Sequence, residues 1–327
     1  MAARTWQGNG HRRMKPLAPS TQAGPAPACG FFETPSARDV SLAPHLVAER
    51  LVACFHEMGS RPGRMSRVLE ASVATLDIDP ADPLRVGAMA IAADIDRGIG
   101  AGVPHGYHNP GHFLEVVLCG LELSRRARLP DAATLNVLVA AVMHDFHHDG
   151  SAGGRQAFRL ERLAVRRGLP YLEAAGAAGE MQQRIACLVL STEAALGAPF
   201  ARACHAFHSG SAPSLPARAP LRELEALMED PGLAVEAAVL IEADVLPSIG
   251  LTVEHGHHVQ SLLAAELGRP LDAADKLRFI DAFGELAVGA FFSPNRRALR
   301  DDCLRRQPPE PVHAGGRSGR SGVAAAR

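Results

Sequence analysis

Residues 106–112, which read GYHNPGH, place two histidines four positions apart. Asn109 and Pro110 are typical of an N-cap and of the first turn of a helix, and side chains four apart on a helix project from one face. With 15 histidines in 327 residues, about 0.7 such pairs are expected by chance, so the pair alone is weak evidence. The segment predicts either that His108 and His112 reach one pocket or that two ordinary histidines begin a polar helix.

A second cluster, residues 144–148 with the sequence HDFHH, follows the apolar run LNVLVAAVM. The apolar neighbours predict that His144 and Asp145 are buried, and a buried charge is costly unless a partner or a metal ion offsets its desolvation. A cation would satisfy both groups at once. The alternative is a salt bridge to an arginine, although few cationic residues lie in this stretch.

Asp244 lies within the apolar sequence AVLIEADVLPSI. A carboxylate there needs a partner, which would be a metal ion, a helix terminus or an arginine. A set of two imidazoles and two carboxylates that could hold one divalent ion is formed by His112, His144, Asp145 and Asp244. Such nitrogen and oxygen ligands suit Zn²⁺, Mn²⁺ or Fe²⁺, whereas an adjacent oxygen-rich position would suit Mg²⁺ or Mn²⁺.

Helices must position these side chains, because apolar residues recur at spacings of three and four over most of the chain. Strand-like alternation is hard to find, and Gly and Pro residues interrupt the pattern at intervals. The sequence therefore predicts an all-α bundle in one domain over residues 38–305, with a surface loop at 209–220 and disordered segments at 1–37 and 306–327. The predicted helices lie near residues 40–57, 64–76, 83–98, 109–127, 132–147, 155–167, 178–194, 199–208, 221–229, 233–245, 248–267 and 272–291.

The overall composition argues against several classes of protein. The 34 Lys and Arg against 35 Asp and Glu give a formal net charge of −1, so no overall field would hold nucleic acid or an anionic membrane. No uncharged apolar run approaches the ~18 residues of a membrane-spanning helix, and the first residues lack the apolar stretch of a secretory signal. Six scattered cysteines without a C-x-x-C fit reduced thiols, so we expect a cytoplasmic protein.

The order Y-H-N-x-x-H, then H-D-x-x-H-x-G, then a buried A-D resembles the HD-domain metal-dependent phosphohydrolases. The most similar members are the catalytic domains of the class I 3′,5′-cyclic nucleotide phosphodiesterases, and the resemblance spans about residues 107–279. It implies an all-α, multi-helix bundle of that type. The tightly bound metal, usually Zn²⁺, would be held by His112, His144, Asp145 and Asp244. Asp145 would also bridge to a second metal, Mg²⁺ or Mn²⁺, and His108 would be the general acid.

The same resemblance assigns further residues to the site. The shell of the second metal would include His148, Glu193 in a segment similar to L-A-T-D, and Glu173, the remnant of an E-N-H-H segment. The substrate would be bound by Tyr107, Lys276 and Phe279, of which Phe279 is similar to an aromatic residue that clamps the base. Lys276 stands where the family has a purine-binding glutamine. A lysine cannot accept a hydrogen bond, so the two-way contact with a purine edge is lost.

These assignments imply hydrolysis of a 3′,5′-cyclic nucleotide by a hydroxide that bridges two metals, with His108 donating a proton to the leaving group. Two alternatives stay open: an HD-type phosphohydrolase that acts on another nucleotide or phosphate ester, and a degenerate metal-binding module without activity. The expected ligand is a small phosphate ester, and neither nucleic acid nor a membrane is an expected partner. His255, His257 and His258 are expected in a solvated loop or helix start.

Overall fold

Thirteen α-helices and two 3₁₀-helices make up the regular structure of residues 31–32, 42–103, 106–151 and 156–307, the part of the chain that this computed structural model describes. No strand occurs within these ranges, so the predicted all-α fold class is confirmed. The α-helices are α1 (Pro44–Gly59), α2 (Arg64–Val73), α3 (Pro83–Asp96), α4 (Pro110–Ala127), α5 (Asp131–Met143), α6 (Arg159–Ala174), α7 (Gly179–Leu190), α8 (Gly197–His208), α9 (Ala226–Glu229), α10 (Pro231–Ile249), α11 (Val253–Leu267), α12 (Ala273–Phe283) and α13 (Ser293–Arg306). The 3₁₀-helices cover Arg222–Leu224 and Val288–Phe292.

Two helices continue past the ends that the sequence predicted for them. α6 runs to Ala174 with Pro170 inside it, and α10 runs to Ile249 with Pro247 inside it. The predicted ends near 167 and 245 are therefore wrong. Leu172 and Ile249 are both fully buried, so tertiary packing of these last turns outweighs the local cost of proline.

Two other predicted helices are shorter than expected. The one at 248–267 begins only at Val253, because the hydroxyl of Thr252 caps α11 by accepting the amide N–H of His255 at 3.1 Å. The one at 272–291 ends at Phe283, where Gly284 adopts a positive φ of 74°. A further helix that the sequence did not predict, α13, follows.

The centre of the fold is formed by α4, α5 and α10, which pack against one another. The last two turns of α5, residues 137–143, are fully buried on every side, as expected for a segment that is apolar all round. Gly120 of α4 permits close approach of the other two helices. A Cβ at this position would lie 3.3 Å from Cγ1 of Val137 and 3.8 Å from Cβ of Ala243. These three helices carry or directly precede the predicted metal ligands.

A buried ion pair joins α7 to α10. Nε and Nη2 of Arg184 lie 2.9 and 2.6 Å from the two carboxylate oxygens of Glu236, whose side chain is 3% exposed. Asn136 of α5 donates to the same carboxylate at 3.2 Å. Three helices around the core are therefore joined by one polar cluster, in which both oxygens of the Glu236 carboxylate accept hydrogen bonds.

Outside the helices, residues 31–32 pack on the central helix α4. Phe31 is buried, and its carbonyl accepts a hydrogen bond from Nη1 of Arg125 at 3.1 Å. The rest of segment 1–37 and residues 308–327, where disorder was predicted, lie outside the described residues. No helix within the described ranges is long and apolar enough to span a membrane.

Candidate metal centre and active site

The helix α4 begins at the motif that contains the first two histidines. Asn109 is its N-cap: Oδ1 accepts the amide N–H of Gly111 at 2.6 Å, and Nδ2 donates to the carbonyl of Gly106 at 2.5 Å. Pro110 occupies the first turn, where backbone N–H groups have no acceptor within the helix, so the N–H that proline lacks costs no helical hydrogen bond. This start directs His112 into the core, where it is 2% exposed.

Four side chains from distant parts of the chain meet at one point. Nε2 of His112 lies 3.2 Å from Nε2 of His144 and 3.1 Å from Oδ1 of Asp244. Oδ2 of Asp145 lies 3.3 Å from Nε2 of His112 and 3.1 Å from Nε2 of His144. Nε2 of His144 is 3.7 Å from Oδ1 of Asp244. Two imidazole nitrogens and two carboxylate oxygens therefore face a common centre.

A second group lies beside the first. Nε2 of His108 is 3.8 Å from Oδ2 of Asp145, and the rings of His108 and His148 stack with centroids 3.8 Å apart and planes at 20°. Ligand atoms of His108, Asp145 and His148 all lie within 4.8 Å of one another. Nδ1 of His148 accepts the amide N–H of Gly150 at 3.1 Å, so in the neutral ring Nε2 carries the proton and can donate a hydrogen bond. Asp145 belongs to both groups, so its carboxylate lies between two candidate centres.

The charges of the first group favour a divalent cation. Burial lowers the pKa of His112, but hydrogen bonds with Asp145 and Asp244 outweigh burial and raise it to about 9. The same carboxylates raise the pKa of His144 despite its burial. The two histidines in turn hold the pKa of Asp244 well below its usual range, again against the effect of burial. Without a cation the imidazoles bind protons that a metal would displace.

Glu266 of α11 contacts His108 on the side away from the cluster. Its Oε1 lies 2.6 Å from Nδ1 of His108, and its Oε2 accepts the amide N–H of His108 at 2.9 Å. Burial raises the pKa of Glu266, but the hydrogen bonds and charge of His108 lower it below its ordinary value, so the carboxylate stays ionised. A carboxylate at Nδ1 keeps the proton on that nitrogen. Nε2, the nitrogen that faces Asp145, is left to exchange a proton with a ligand.

Comparison with solved structures relates this geometry to a known fold. The chain is similar to the phosphodiesterase domain of the RhoPDE fusion protein from the choanoflagellate Salpingoeca rosetta, with a TM-score of 0.53 and 14% identity over 85% of this chain and 95% of that one. The fold is that of a phosphodiesterase catalytic domain. LmjPDEB1 in complex with IBMX is also similar, with a TM-score of 0.49 and 14% identity over 86% of this chain and 93% of that one. No family model and no curated protein sequence matches the chain.

Within this phosphodiesterase fold, Tyr107 lies against the candidate metal ligands His112 and Asp244. It is 8% exposed, its hydroxyl donates to the backbone carbonyl of Asp244 at 3.3 Å, and its ring centroid is 4.3 Å from that of His112. Burial and the charges of Asp244 and Glu115 raise the pKa of Tyr107 well above its ordinary value, so it stays a neutral phenol. The placement suits support of the candidate ligand side chains, and contact of Tyr107 with substrate stays a prediction.

The two glutamates predicted near a second metal differ in placement. Glu193 is buried and accepts two amide N–H groups at the start of α8, at 2.7 and 3.1 Å. Glu173 is exposed near the end of α6, and no described contact joins it to the cluster. Glu161, in the first turn of α6, is a carboxylate that the sequence did not predict near the cluster, and it interacts electrostatically with Asp145. Burial raises the pKa of Glu161 to about 7, and the charges of Glu193 and Asp145 add to the increase.

The helix α12, which carries the residues predicted to bind the base, packs against α13. Lys276 is 5% exposed and interacts with Cys303 of α13, and burial lowers the pKa of Lys276 to about 8. Phe279 is 43% exposed. Among the contacts of the described residues, none joins Lys276 or Phe279 to the histidine and aspartate cluster. The structure therefore brings the predicted metal ligands together, and base binding by Lys276 and Phe279 stays a prediction.

His255, which was expected in a solvated stretch, is buried between α11 and α4. It is 4% exposed, its Nε2 lies 3.3 Å from Oε1 of Glu115, and its ring centroid is 5.5 Å from that of Phe55. Glu115 follows His112 by one helical turn on α4. The contact therefore joins α11, which carries Glu266, to the helix that carries a candidate ligand.

Proposed function

We propose that this protein is a metal-dependent phosphodiesterase that hydrolyses a 3′,5′-cyclic nucleotide. The observation that carries the proposal is the convergence of His112, His144, Asp145 and Asp244 on one centre. His108 approaches the carboxylate of Asp145 from the second group. The phosphodiesterase fold supports the reaction type, and the motif order that resembles the class I enzymes supports the substrate class.

The residues present fit two divalent cations. The imidazole nitrogens and carboxylate oxygens of the first group are ligands of the kind that Zn²⁺ accepts, and Asp145 with His148 suits a more hydrated Mg²⁺ or Mn²⁺. Such cations, when bound, acidify water and neutralise charge on phosphoryl oxygens. The protein's own part is to hold the ligand atoms, and Nδ1 of His144 does so by bonding to the carbonyl of Ala141 at 2.8 Å.

His108 is proposed as the general acid that protonates the departing alkoxide through Nε2. The carboxylate of Glu266 stabilises the imidazolium form and fixes the orientation of the ring, since it binds both Nδ1 and the amide N–H of His108. His148, stacked on the other face, limits rotation of the imidazole. A general acid in this position typically contributes 10²–10⁴-fold in rate.

A second candidate function is hydrolysis of another nucleotide or phosphate ester by an HD-type phosphohydrolase. Lys276 favours it, because this residue stands where the family has a purine-binding glutamine and a lysine cannot accept a hydrogen bond from a purine edge. A metal-binding module without activity is disfavoured by the contact between Glu266 and His108. A purely structural metal site does not need an imidazole that a carboxylate holds in place.

Metal analysis of the purified protein, followed by a turnover panel, tests the proposal. The panel contains cAMP, cGMP, bis(p-nitrophenyl) phosphate and nucleoside monophosphates, each with and without added Zn²⁺, Mg²⁺ or Mn²⁺. We expect metal-dependent turnover of a cyclic nucleotide. Turnover of a monophosphate alone would support the second candidate instead, and no turnover by metal-loaded protein would reject both.

Two variants separate the proposed roles. His108→Ala should lower turnover about 10²–10⁴-fold and keep its metal, whereas Asp145→Ala should lose metal as well as activity. Asp149→Asn is the matched control, because Asp149 is exposed in the same turn and pairs with Arg159. Equal loss of metal in His108→Ala and Asp145→Ala would contradict the assigned roles.

A further inference from the structure

A segment rich in glycine, residues 98–103 with the sequence GIGAGV, runs between the two halves of the candidate active site. We call it the glycine strap. Its three glycines alternate with other residues and all adopt left-handed backbone: φ is 82° at Gly98, 64° at Gly100 and 77° at Gly102. Side chains other than glycine rarely adopt this conformation, so an alanine at any of the three positions carries a backbone cost, and the contacts of its Cβ decide what else it displaces.

One end of the strap contacts the backbone of His108. The amide N–H of Val103 donates to the carbonyl of His108 at 2.7 Å. A Cβ at Gly102 would lie 1.9 Å from the same carbonyl oxygen and 2.7 Å from its carbon. The neighbour is backbone and cannot rotate away, so any side chain at 102 must displace His108 or the strap.

The middle of the strap contacts the turn that follows His144 and Asp145. The carbonyl of Gly100 accepts the amide N–H of His147 at 3.0 Å, and His147 itself has a positive φ of 69°. A Cβ at Gly100 would lie 2.3 Å from the ring of Phe146 and 2.9 Å from Cδ2 of His147. Phe146 is 1% exposed, so its ring has no solvent to move into.

We propose that the glycine strap sets the distance between His108 and the turn that carries the metal ligands, with Gly102 and Gly100 as two separate positioning residues. Gly102 determines where His108 lies, because its hydrogen atom faces the His108 carbonyl. Gly100 determines where the 144–148 turn lies, because it contacts the residues that directly follow Asp145. A displacement of about 1 Å at reacting groups can lower the rate about 10²-fold. We expect an effect of this size on the rate when His108 is displaced by a side chain at position 102.

Three matched alanine variants test the division of roles. Gly98→Ala is the control: it meets the same positive-φ penalty, but its Cβ would have no heavy atom within 4 Å. Gly102→Ala should lower turnover of bis(p-nitrophenyl) phosphate about 10²-fold and keep its metal affinity. Gly100→Ala should weaken metal binding about 10–100-fold, as changes behind metal ligands do. Gly98→Ala should match the parent protein in metal affinity and, at saturating metal, in turnover.

Only the kinetic measurement of this inference rests on the proposed function. A second readout, which does not need activity, tests the inference separately. The Nδ1–H proton of His108, hydrogen-bonded to Glu266, should give a downfield NMR resonance that is absent in His108→Ala. Gly102→Ala should shift or broaden this resonance, and Gly98→Ala should leave it unchanged. If the parent protein hydrolyses no phosphate ester, the His108 resonance and the metal affinities still test the positioning role of the glycine strap.

A second variant covers the case in which Gly102→Ala does not fold. Val103→Pro removes the N–H that binds the His108 carbonyl and adds no atom at position 102, so it should reproduce the shift of the His108 resonance. The proposal is overturned if Gly102→Ala and Val103→Pro leave the His108 resonance as in Gly98→Ala. It is also overturned if Gly100→Ala binds metal as the parent does, or if all three alanine variants lose metal and turnover equally.

Discussion

Oε1 of Glu266 lies 2.6 Å from Nδ1 of His108 while Oε2 of the same carboxylate accepts the His108 amide N–H at 2.9 Å. One buried side chain therefore fixes both the ring and the backbone of the proposed general acid. Because both oxygens are acceptors, only an ionised carboxylate satisfies the two donors at once.

Glu266→Gln should lower turnover about 10–100-fold with metal content unchanged. The amide oxygen can replace only one acceptor, so its NH₂ group must face one of the two N–H donors of His108. Loss of the negative charge also removes stabilisation of the imidazolium form. Steady-state kinetics over a range of pH, with metal analysis, measure the effect. Glu254→Gln, an exposed change on the same helix, is the control, and equal kinetics in both variants would contradict the prediction.

Metal binding by the metal-free protein should release protons and should tighten as pH rises toward about 9. The carboxylates around His112 raise its pKa to about 9 and also raise the pKa of His144, so at neutral pH both imidazoles carry protons that a metal must displace. Well above pH 9, His112 is neutral before metal binds, and the affinity should level off. Calorimetric titration with Zn²⁺ in buffers of different ionisation enthalpy counts the protons. An affinity independent of pH between 6 and 9 would be inconsistent with this account.

The helical spacing of apolar residues was sufficient to predict the fold class, and the isolated polar residues in apolar segments pointed to the cluster. Asp244 is the clearest case, because a carboxylate within AVLIEADVLPSI has few alternatives to a partner in the core. Glu266 could not be found in this way. It lies in an ordinary amphipathic helix, 158 residues from His108, and only the tertiary fold brings the two together.

The choice between Glu161 and Glu173 shows a second limit of the sequence. Both follow a leucine on the same helix, and local composition does not distinguish a partly buried carboxylate that interacts electrostatically with Asp145 from one that is exposed to solvent. For His255 the sequence predicted exposure, because its neighbours in the sequence are polar. In the structure the side chain is buried and packs on Glu115 and Phe55. In each case the deciding contact comes from another helix.

The metal-free protein should lose stability between about pH 4.5 and pH 7 because of Glu161. Burial raises the pKa of Glu161 from 4.5 to about 7, so the folded state keeps a proton that the unfolded state has already lost. The stabilisation is complete below pH 4.5 and falls by at most about 3 kcal/mol as pH rises through 7.

Urea unfolding of metal-free protein at pH 5 and pH 7.5 measures this loss. Glu161→Gln should reduce the difference between the two pH values, because a glutamine has no proton to lose. Glu173→Gln on the same helix is exposed and should leave the difference as in the parent protein. Parallel pH dependence in the parent and Glu161→Gln would show that other groups cause the loss.

Arg184→Met should destabilise the fold by about 3–5 kcal/mol, because it leaves the carboxylate of Glu236 buried without its cation. Asp230→Asn, which removes the more exposed partner of Arg184, should cost less than about 1 kcal/mol, since asparagine can still cap α10. The double variant Arg184→Met with Glu236→Leu should recover most of the loss, because no unpaired charge remains in the core. Urea unfolding at constant pH measures all three. A cost for Arg184→Met no larger than that for Asp230→Asn would mean that the Glu236 carboxylate is solvated, and that the ion pair does not join α7 to α10.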